Sequence, residues 1–298
     1  MSRNLRIGRA AALLAAGWAL AGRGTSVRCD DGIFAYDRSR PIELKAADVA
    51  LRNITYARED GGRAEATVVA PAGPGRHPGV LFVHWYEEAA QNADRTQFLP
   101  DATALARRGV ASLLVDTPWS EPKWFATRNP ADDRAMSLRE IRELRRSLDV
   151  MAALDEVDAG RIAFVGHDFG AMYGAVMTAV DRRPKALVYI AGTTSFSDWF
   201  LLGRELDADA RRKVHDELAP LDPVHHLPSV AVPVLFQFAQ KDPYVSREAA
   251  DALVAAAREP KEVRFYECGH EMDRHAVRDR VDWLARILVD GGKPSASP

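Results

Sequence analysis

Asp168 lies in the segment Gly166-His167-Asp168-Phe169-Gly170, where a carboxylate stands between two glycines directly ahead of a stretch with helical spacing. Glycines on both sides tolerate a sharp, strained turn, and such a turn lifts the central side chain above a sheet. A carboxylate gains little by attacking an ester, because the product would be an anhydride. Attack on a saturated carbon that bears a halide or an epoxide oxygen instead gives a stable alkyl ester, which water can hydrolyse. The residue type therefore predicts attack on an alkyl electrophile.

An acid and a histidine follow the nucleophile candidate along the chain, in the order expected of a nucleophile–acid–histidine triad. Asp242 comes just after an apolar stretch, and His270 follows Cys268-Gly269 after the last apolar stretch. In this arrangement His270 activates water, while Asp242 orients the imidazole and stabilises its charged form. A second possibility is that Asp168 acts as a base for direct attack by water.

Hydrolysis of the alkyl ester also requires N–H groups that bind the negative oxygen of the transition state. We expect one to be the backbone N–H of Phe169 and the other to be that of Trp85 or Tyr86. The glycine-rich loop usual at this second position is replaced by His84-Trp85-Tyr86-Glu87-Glu88.

The leaving group needs help of a kind that depends on the substrate, and the sequence leaves this choice open. Candidate proton donors for an epoxide are Tyr86, Tyr244 and His84. Candidate N–H donors for a halide are Trp85, Trp119, Trp124 and Trp199. The side chains expected to line the substrate pocket are His84, Trp119, Trp124, Phe125, Trp199, Phe200 and Tyr244.

The elements that must position these residues alternate along the chain. Buried strands are predicted at 66–70, 79–83, 111–115, 161–165, 186–190, 232–238 and 262–266. Helices are predicted at 96–108, across the stripe from Leu138 to Leu154, and at 171–180, 246–257 and 274–288. Such alternation predicts an α/β fold with a mostly parallel sheet and helices on both faces. The chemistry of such sheets lies beyond the carboxyl ends of the strands.

From about residue 54 to residue 288 the chain resembles the dienelactone hydrolase-like branch of the α/β-hydrolase superfamily. The resemblance rests on the 78–84 strand, the turn at Asp168, the Asp242 turn and the Cys268-Gly269-His270 turn. It implies the α/β-hydrolase fold and hydrolysis of a carboxylic ester or lactone. That branch carries cysteine or serine where this sequence has Asp168.

The Gly-His-Asp-aromatic-Gly turn itself resembles that of epoxide hydrolases and of haloalkane or haloacid-type dehalogenases in the same superfamily. Those families insert a substantial helical cap after the sixth strand, whereas only residues 193–231 are available here, which predicts a small lid. Three hypotheses follow: an alkyl-electrophile hydrolase with an Asp-His-Asp triad, an ester or lactone hydrolase, and a non-hydrolytic protein with this fold.

Composition excludes several other functions. A net charge of -2 gives no reason to expect nucleic acid as a partner. Two cysteines allow neither a disulfide framework nor a four-thiolate zinc site, and His270 and His275 are five residues apart, whereas a helical zinc pair needs four. No phosphate-binding or dinucleotide glycine loop is present, so no cofactor and no metal are expected. The expected partner is a small, apolar substrate.

The two ends of the chain are expected to lie outside the enzyme domain, which we place at residues 30–290. Residues 1–21 combine three arginines with an apolar run from 10 to 21 and small residues at a cleavage site, as in a signal peptide. This predicts export, to the periplasm or the medium, without stable membrane association after processing. Without such processing the protein would be cytoplasmic. Export would permit a Cys29–Cys268 bridge, and residues 291–298 are expected to be disordered.

Overall fold

The computed structural model describes residues 48–291, all within the second of two compact units, Pro41–Pro298. The predicted signal peptide, Cys29 and the tail from residue 292 lie outside the described residues. One eight-stranded sheet organises the described part, in the order β1-β2-β4-β3-β5-β6-β7-β8. Its strands are β1 (Val49–Ala57), β2 (Arg63–Pro71), β3 (His77–Val83), β4 (Ala111–Val115), β5 (Val157–His167), β6 (Pro184–Ile190), β7 (Val234–Ala239) and β8 (Lys261–Tyr266). The β1–β2 and β2–β4 pairs are antiparallel. All the other neighbouring pairs, from β4–β3 through β7–β8, are parallel.

Helices cover both faces of this sheet, as the alternating pattern predicts. The helices are α1 (Leu99–Ala106), α2 (Trp124–Thr127), α3 (Asp133–Ala152), α4 (Phe169–Val180), α5 (Phe196–Phe200), α6 (Ala208–Leu218), α7 (Pro223–His226), α8 (Arg247–Ala256) and α9 (Arg274–Leu288). Within the described residues, no helix has the length and apolar character needed to cross a membrane.

The core consists of two apolar layers, one on each side of the sheet. Successive side chains of a strand point to opposite faces, so Leu81 and Val83 pack with α3 and α4, whereas Val80 and Phe82 pack with α1 and α9. All four side chains are almost fully buried. The central strands are therefore apolar on both faces, which explains their nearly continuous hydrophobic runs.

All seven predicted strands and all five predicted helices are present, with ends shifted by a few residues. Sequence analysis missed β1, an edge strand in which Arg52, Asn53 and Thr55 interrupt the apolar pattern. An edge strand has one unpaired side and needs no continuous apolar run. The small lid predicted between 193 and 231 is also present, and it contains the three short helices α5, α6 and α7.

Candidate active site

A strained turn between β5 and α4 carries Asp168. Its backbone has φ 57° and ψ −118°, outside the regions that most side chains adopt, and its N–H donates to the carbonyl oxygen of Ile190 at 2.9 Å. A Cβ on Gly166 would lie 2.1 Å from the backbone oxygen of Gly170, and one on Gly170 would lie 2.2 Å from that of Val83. Neither approach is possible for a larger residue, so the glycines permit the close packing that holds this turn.

The carboxylate of Asp168 is buried, with only 2% of the residue exposed. Its Oδ2 accepts the backbone N–H of Tyr86 at 3.0 Å, and the backbone N–H of Phe169 acts on the carboxylate by lowering its pKa. Within the described part of the chain, its Oδ1 is buried without a hydrogen-bond partner. Burial raises the pKa of Asp168 to about 7, although the charge of His270 and the two backbone donors oppose the rise.

The imidazole of His270 is held by Asp242, as the chain order predicts. Its Nδ1 lies 2.8 Å from Oδ2 of Asp242, and both side chains are at most 6% exposed. Asp242 is itself fixed by the backbone N–H groups of Tyr244 and Val245, at 2.9 and 3.1 Å from Oδ1. Because a carboxylate only accepts, Nδ1 carries the hydrogen, and Nε2 of the neutral ring keeps its lone pair.

The Nε2 atom of His270 is buried without a partner among the described residues, like Oδ1 of Asp168. Burial opposes the charged imidazolium, but the hydrogen bond to Asp242 and the charge of Asp168 outweigh it, so the pKa of His270 is raised. The two side chains influence each other's pKa and line the same cavity of about 200 Å³. The cavity is lined by Tyr86, Glu87, Glu88, Phe125, Asp168, Phe169, Trp199, Leu202, Tyr244 and His270.

The choice between Trp85 and Tyr86 as the second backbone donor falls on Tyr86. The N–H of Trp85 donates instead to Oε1 of Gln97 at 2.9 Å, so it is not directed at Asp168. The indole of Trp85 stacks against the imidazoles of His167 and His270, with ring centroids 5.1 and 5.9 Å apart. Trp85 therefore packs against the imidazole of His270, and of the two predicted N–H donors it is Tyr86 that reaches the carboxylate.

Four of the seven predicted pocket residues lie outside the lining of this cavity. His84 is fully buried, where its Nδ1 donates to the carbonyl of Trp85 at 2.7 Å and its Nε2 accepts from Thr117 and Ser120 at 2.9 and 2.7 Å. Burial lowers the pKa of His84 to about 4, so the ring is neutral and holds the loop that presents Tyr86. It is consequently neither a pocket wall nor a proton donor.

The other three residues form an aromatic layer beneath the pocket. Trp119 donates its indole N–H to the carbonyl of His84 at 3.1 Å and lines a neighbouring cavity. Trp124 and Phe200 pack against the ring of Phe169, with centroids 5.6 and 5.3 Å away. Of the predicted pocket residues, Phe125, Trp199 and Tyr244 line the cavity itself.

Several residues of the site escaped the sequence analysis. Glu87, Glu88 and Leu202 line the cavity. Gln97 fixes both the N–H of Trp85 and Nδ1 of His167, the latter at 2.6 Å, and Nε2 of His167 donates to the carbonyl of His270 at 2.9 Å. The position of Glu87 and Glu88 directly after Tyr86 was the one feature of the sequence that could have predicted their place in the cavity. In the described part of the chain, no group of three His, Cys, Asp or Glu side chains is placed to hold a metal ion.

The comparisons with known proteins agree with this architecture. No family model matches the chain. Two proteins of Mycobacterium tuberculosis, from strains CDC 1551 / Oshkosh and ATCC 25618 / H37Rv, are each 28% identical over 251 residues. The match covers 81% of this chain and 80% of theirs, and both are described as uncharacterized.

Solved structures decide the fold. A 2,6-dihydroxy-pseudo-oxynicotine hydrolase matches with a TM-score of 0.65 and 19% identity, over 83% of this chain and 71% of its own. An acetyl xylan esterase from Paenibacillus sp. R4 matches at 0.66 and 18%, over 82% and 86%. The chain has the α/β-hydrolase fold. A cold-adapted esterase from an Arctic intertidal metagenomic library also matches, at 0.61 and 17%, over 83% and 97%. At these identities the likeness to the α/β hydrolases concerns the fold alone.

Proposed function

We propose that this protein is a hydrolase of alkyl electrophiles, such as organohalides or epoxides, which acts through a covalent ester on Asp168. The observation that carries the proposal is that the two oxygens of that carboxylate differ in their hydrogen bonding. Oδ2 accepts the N–H of Tyr86 at 3.0 Å, while Oδ1 is buried and unpartnered among the described residues. One oxygen is thus free to attack, and the other already occupies the place where negative charge develops in the second step.

The same geometry disfavours direct ester hydrolysis. An ester substrate needs the N–H groups of Tyr86 and Phe169 for its own carbonyl oxygen, and in this arrangement Asp168 already accepts the N–H of Tyr86. In the alkyl ester of Asp168, by contrast, Oδ2 becomes the carbonyl oxygen of the ester and remains bound to the N–H of Tyr86. Esterase activity is the second candidate, because fold neighbours are named as esterases. Esterase activity would require the carboxylate of Asp168 to give up its hydrogen bond from the N–H of Tyr86.

Hydrolysis of the covalent ester would use the second pair of groups. The lone pair on Nε2 of His270 takes a proton from water, and the water oxygen attacks the ester carbonyl of Asp168. Asp242, 2.8 Å from Nδ1, stabilises the imidazolium while it exists. The tetrahedral intermediate then collapses, releases the alcohol and restores the carboxylate.

Trp199 is the best candidate to assist a halide leaving group. It lines the cavity, and its indole N–H is buried with no hydrogen-bond acceptor among the described residues. For an epoxide the hydroxyl groups of Tyr86 and Tyr244, which both line the cavity, are the candidate proton donors. A small, largely apolar molecule remains the proposed substrate, and the export expected from residues 1–21 also remains a proposal.

A single-turnover experiment in heavy-oxygen water tests the mechanism directly. With enzyme in excess over a short bromoalkane, we expect the first alcohol product to carry ordinary oxygen from Asp168, and the Asp168 peptide to gain the heavy isotope. Later turnovers should release labelled alcohol. Heavy oxygen in the first product would show direct attack by water and would overturn the proposal. Nitrophenyl acetate, assayed in parallel, reports any esterase activity.

The two raised pKa values predict an activity that increases with pH. Alkylation needs the ionised form of Asp168, whose pKa is about 7, so below that pH the rate should fall about tenfold for each pH unit. Ester hydrolysis needs neutral His270, and its raised pKa makes this step fail on the acidic side as well. Rapid-quench measurement of bromide release and steady-state alcohol formation should both show this dependence. A bromide-release rate that is flat between about pH 5 and pH 8 would contradict it.

A further inference from the structure

The active-site cavity has two carboxylates without cationic partners at its mouth. Glu87 and Glu88 line it, and neither forms an ion pair within the described residues. Among the described residues, the carboxylate of Glu87 accepts the N–H of Ala89, at 3.2 Å, and no other hydrogen bond, while Glu88 is exposed. No lysine or arginine of the described part of the chain lines this cavity. After burial, the charges of Glu88 and Glu87 help to raise the pKa of Tyr86, which shows their influence on the cavity wall.

Aromatic rings form most of the remaining wall. Tyr86 stacks on Phe125 with centroids 5.9 Å apart, and Trp199 packs on Tyr244 at 5.5 Å. The faces of such rings attract cations through their quadrupoles, most strongly where water is excluded. The Phe125 ring already holds the guanidinium of Arg128, 3.8 Å from its centroid, so Tyr86, Trp199 and Tyr244 are the rings that a further cation would use. An organic ammonium group, whose charge is spread over apolar methyl groups, suits both the rings and the carboxylates. A bare metal ion would need a closer set of oxygen ligands.

A neighbouring cavity of about 350 Å³ continues this negative surface. It shares Tyr86, Glu87 and Glu88 with the active-site cavity, and it adds Asp94 and Glu121 against the single cation of Lys123. Negative charge at the entrance of a cavity raises the local concentration of cations. The electrostatic field therefore favours the approach of a cation to the active site.

Besides Nε2 of His270, two buried polar atoms show that the active-site cavity is built for a further ligand group. Oδ1 of Asp168 and Nε1 of Trp199 lack partners among the described residues, and both residues line the cavity and are more than nine-tenths buried. Oδ1 suits an electrophilic carbon, and the indole N–H suits the leaving atom that accepts a hydrogen bond. When Oδ1 engages the carbon and the indole N–H engages the leaving atom, the carboxylates of Glu87 and Glu88 are the groups left to contact the cation directly.

We infer that the substrate is a small alkyl electrophile with an ammonium group, bound between Glu87, Glu88 and the aromatic wall. This inference rests on the proposed function, because it names the substrate class of that same site. In the reaction, a lone pair of Oδ1 of Asp168 attacks the carbon, and the halide leaves with the bonding electrons. Water then supplies the proton and the oxygen that balance the release of alcohol and acid. The bound cation also stabilises the ionised form of Asp168, which the buried site otherwise disfavours.

Binding of choline, compared with its neutral isostere in which tert-butyl replaces trimethylammonium, tests the inference without turnover. We expect isothermal titration calorimetry to show choline bound at least about tenfold more tightly than the isostere. The double substitution Glu87→Gln, Glu88→Gln should remove this preference and leave binding of the isostere unchanged, which also shows that the variant is folded. The control Asp155→Asn, Asp290→Asn removes two exposed charges near the opposite edge of the sheet and should retain the preference.

Equal affinities for the two ligands in the wild type, or a preference that survives the glutamate substitutions, would overturn the inference. Turnover of bromocholine, in which bromine replaces the hydroxyl group of choline, separates it from the proposed function. If choline binds selectively but bromocholine is not hydrolysed, the proposed function fails and the cation site stands. If the neutral bromoalkane isostere is hydrolysed as well as bromocholine, the function stands and the cation site fails.

Discussion

In the His270→Gln variant, one equivalent of bromide should be released per enzyme molecule, and the alkyl group should then remain attached to Asp168. Alkylation uses Oδ1 of Asp168 and a leaving-group donor, and the imidazole is no reactant in that step, although its charge lowers the pKa of Asp168. The second step loses its base, because Nε2 of His270 is the group that takes the proton from water. Removing one member of such a triad typically slows turnover by about ten-thousand-fold. The covalent intermediate should therefore accumulate almost completely.

Intact-protein mass spectrometry after reaction with a bromoalkane measures this adduct, and peptide mapping locates it. His275→Gln is the matched control, because His275 is exposed on α9 and its imidazole has one hydrogen-bond contact within the described residues, with Arg278 at 3.4 Å. That variant should turn over as the wild type does and carry no adduct. Alkylation of the half-buried Cys268 instead of Asp168 would refute the assignment of the nucleophile. Continued multiple turnover by His270→Gln would refute the assignment of the base.

The Asp168→Asn variant should lose activity and gain stability. An amide oxygen is a poor nucleophile, so turnover should fall by at least about ten-thousand-fold. In the folded protein burial raises the pKa of Asp168 from 3.8 to about 7, so the folded state resists ionisation of this group. The stability that the protonated carboxyl group of Asp168 contributes is fully present below its pKa in the unfolded chain. That stability is lost as the pH rises through about 7. At about pH 9 the neutral amide should therefore stabilise the fold by about 4 kcal/mol.

Urea unfolding of the wild type and of Asp168→Asn, at about pH 9 and at about pH 4, measures this effect. The difference in the free energy of unfolding should be large at the higher pH and nearly absent at the lower pH, where the carboxyl group is protonated in the folded state. Asp155→Asn, at an exposed carboxyl group, should change little at either pH. If the wild type and Asp168→Asn had equal free energies of unfolding at both pH values, ionisation of Asp168 would not destabilise the folded protein. Nitrophenyl ester hydrolysis that survives in Asp168→Asn would exclude a role of this aspartate as the base in ester hydrolysis.

The sequence by itself was sufficient for the order of the elements and for the triad candidates. Short continuous apolar runs alternate along the chain with segments whose apolar residues recur with a period near 3.6, and this local property fixes which segments become strands and helices. Asp168, Asp242 and His270 each follow a predicted strand of one parallel sheet, so they had to lie at the same edge. The structure places them there, with Nδ1 of His270 2.8 Å from Asp242.

Tertiary structure alone decided which loop residues face the cavity. Trp85 and Tyr86 are adjacent and chemically alike, yet Gln97 takes the N–H of one, while the other donates to Asp168. His84 turns inward to Thr117 and Ser120, residues of another loop more than thirty positions away. Loops lack a repeating pattern, so the direction of each side chain depends on hydrogen bonds and packing with distant segments. Those partners, and with them the negative mouth of the cavity, exist only once the chain has folded.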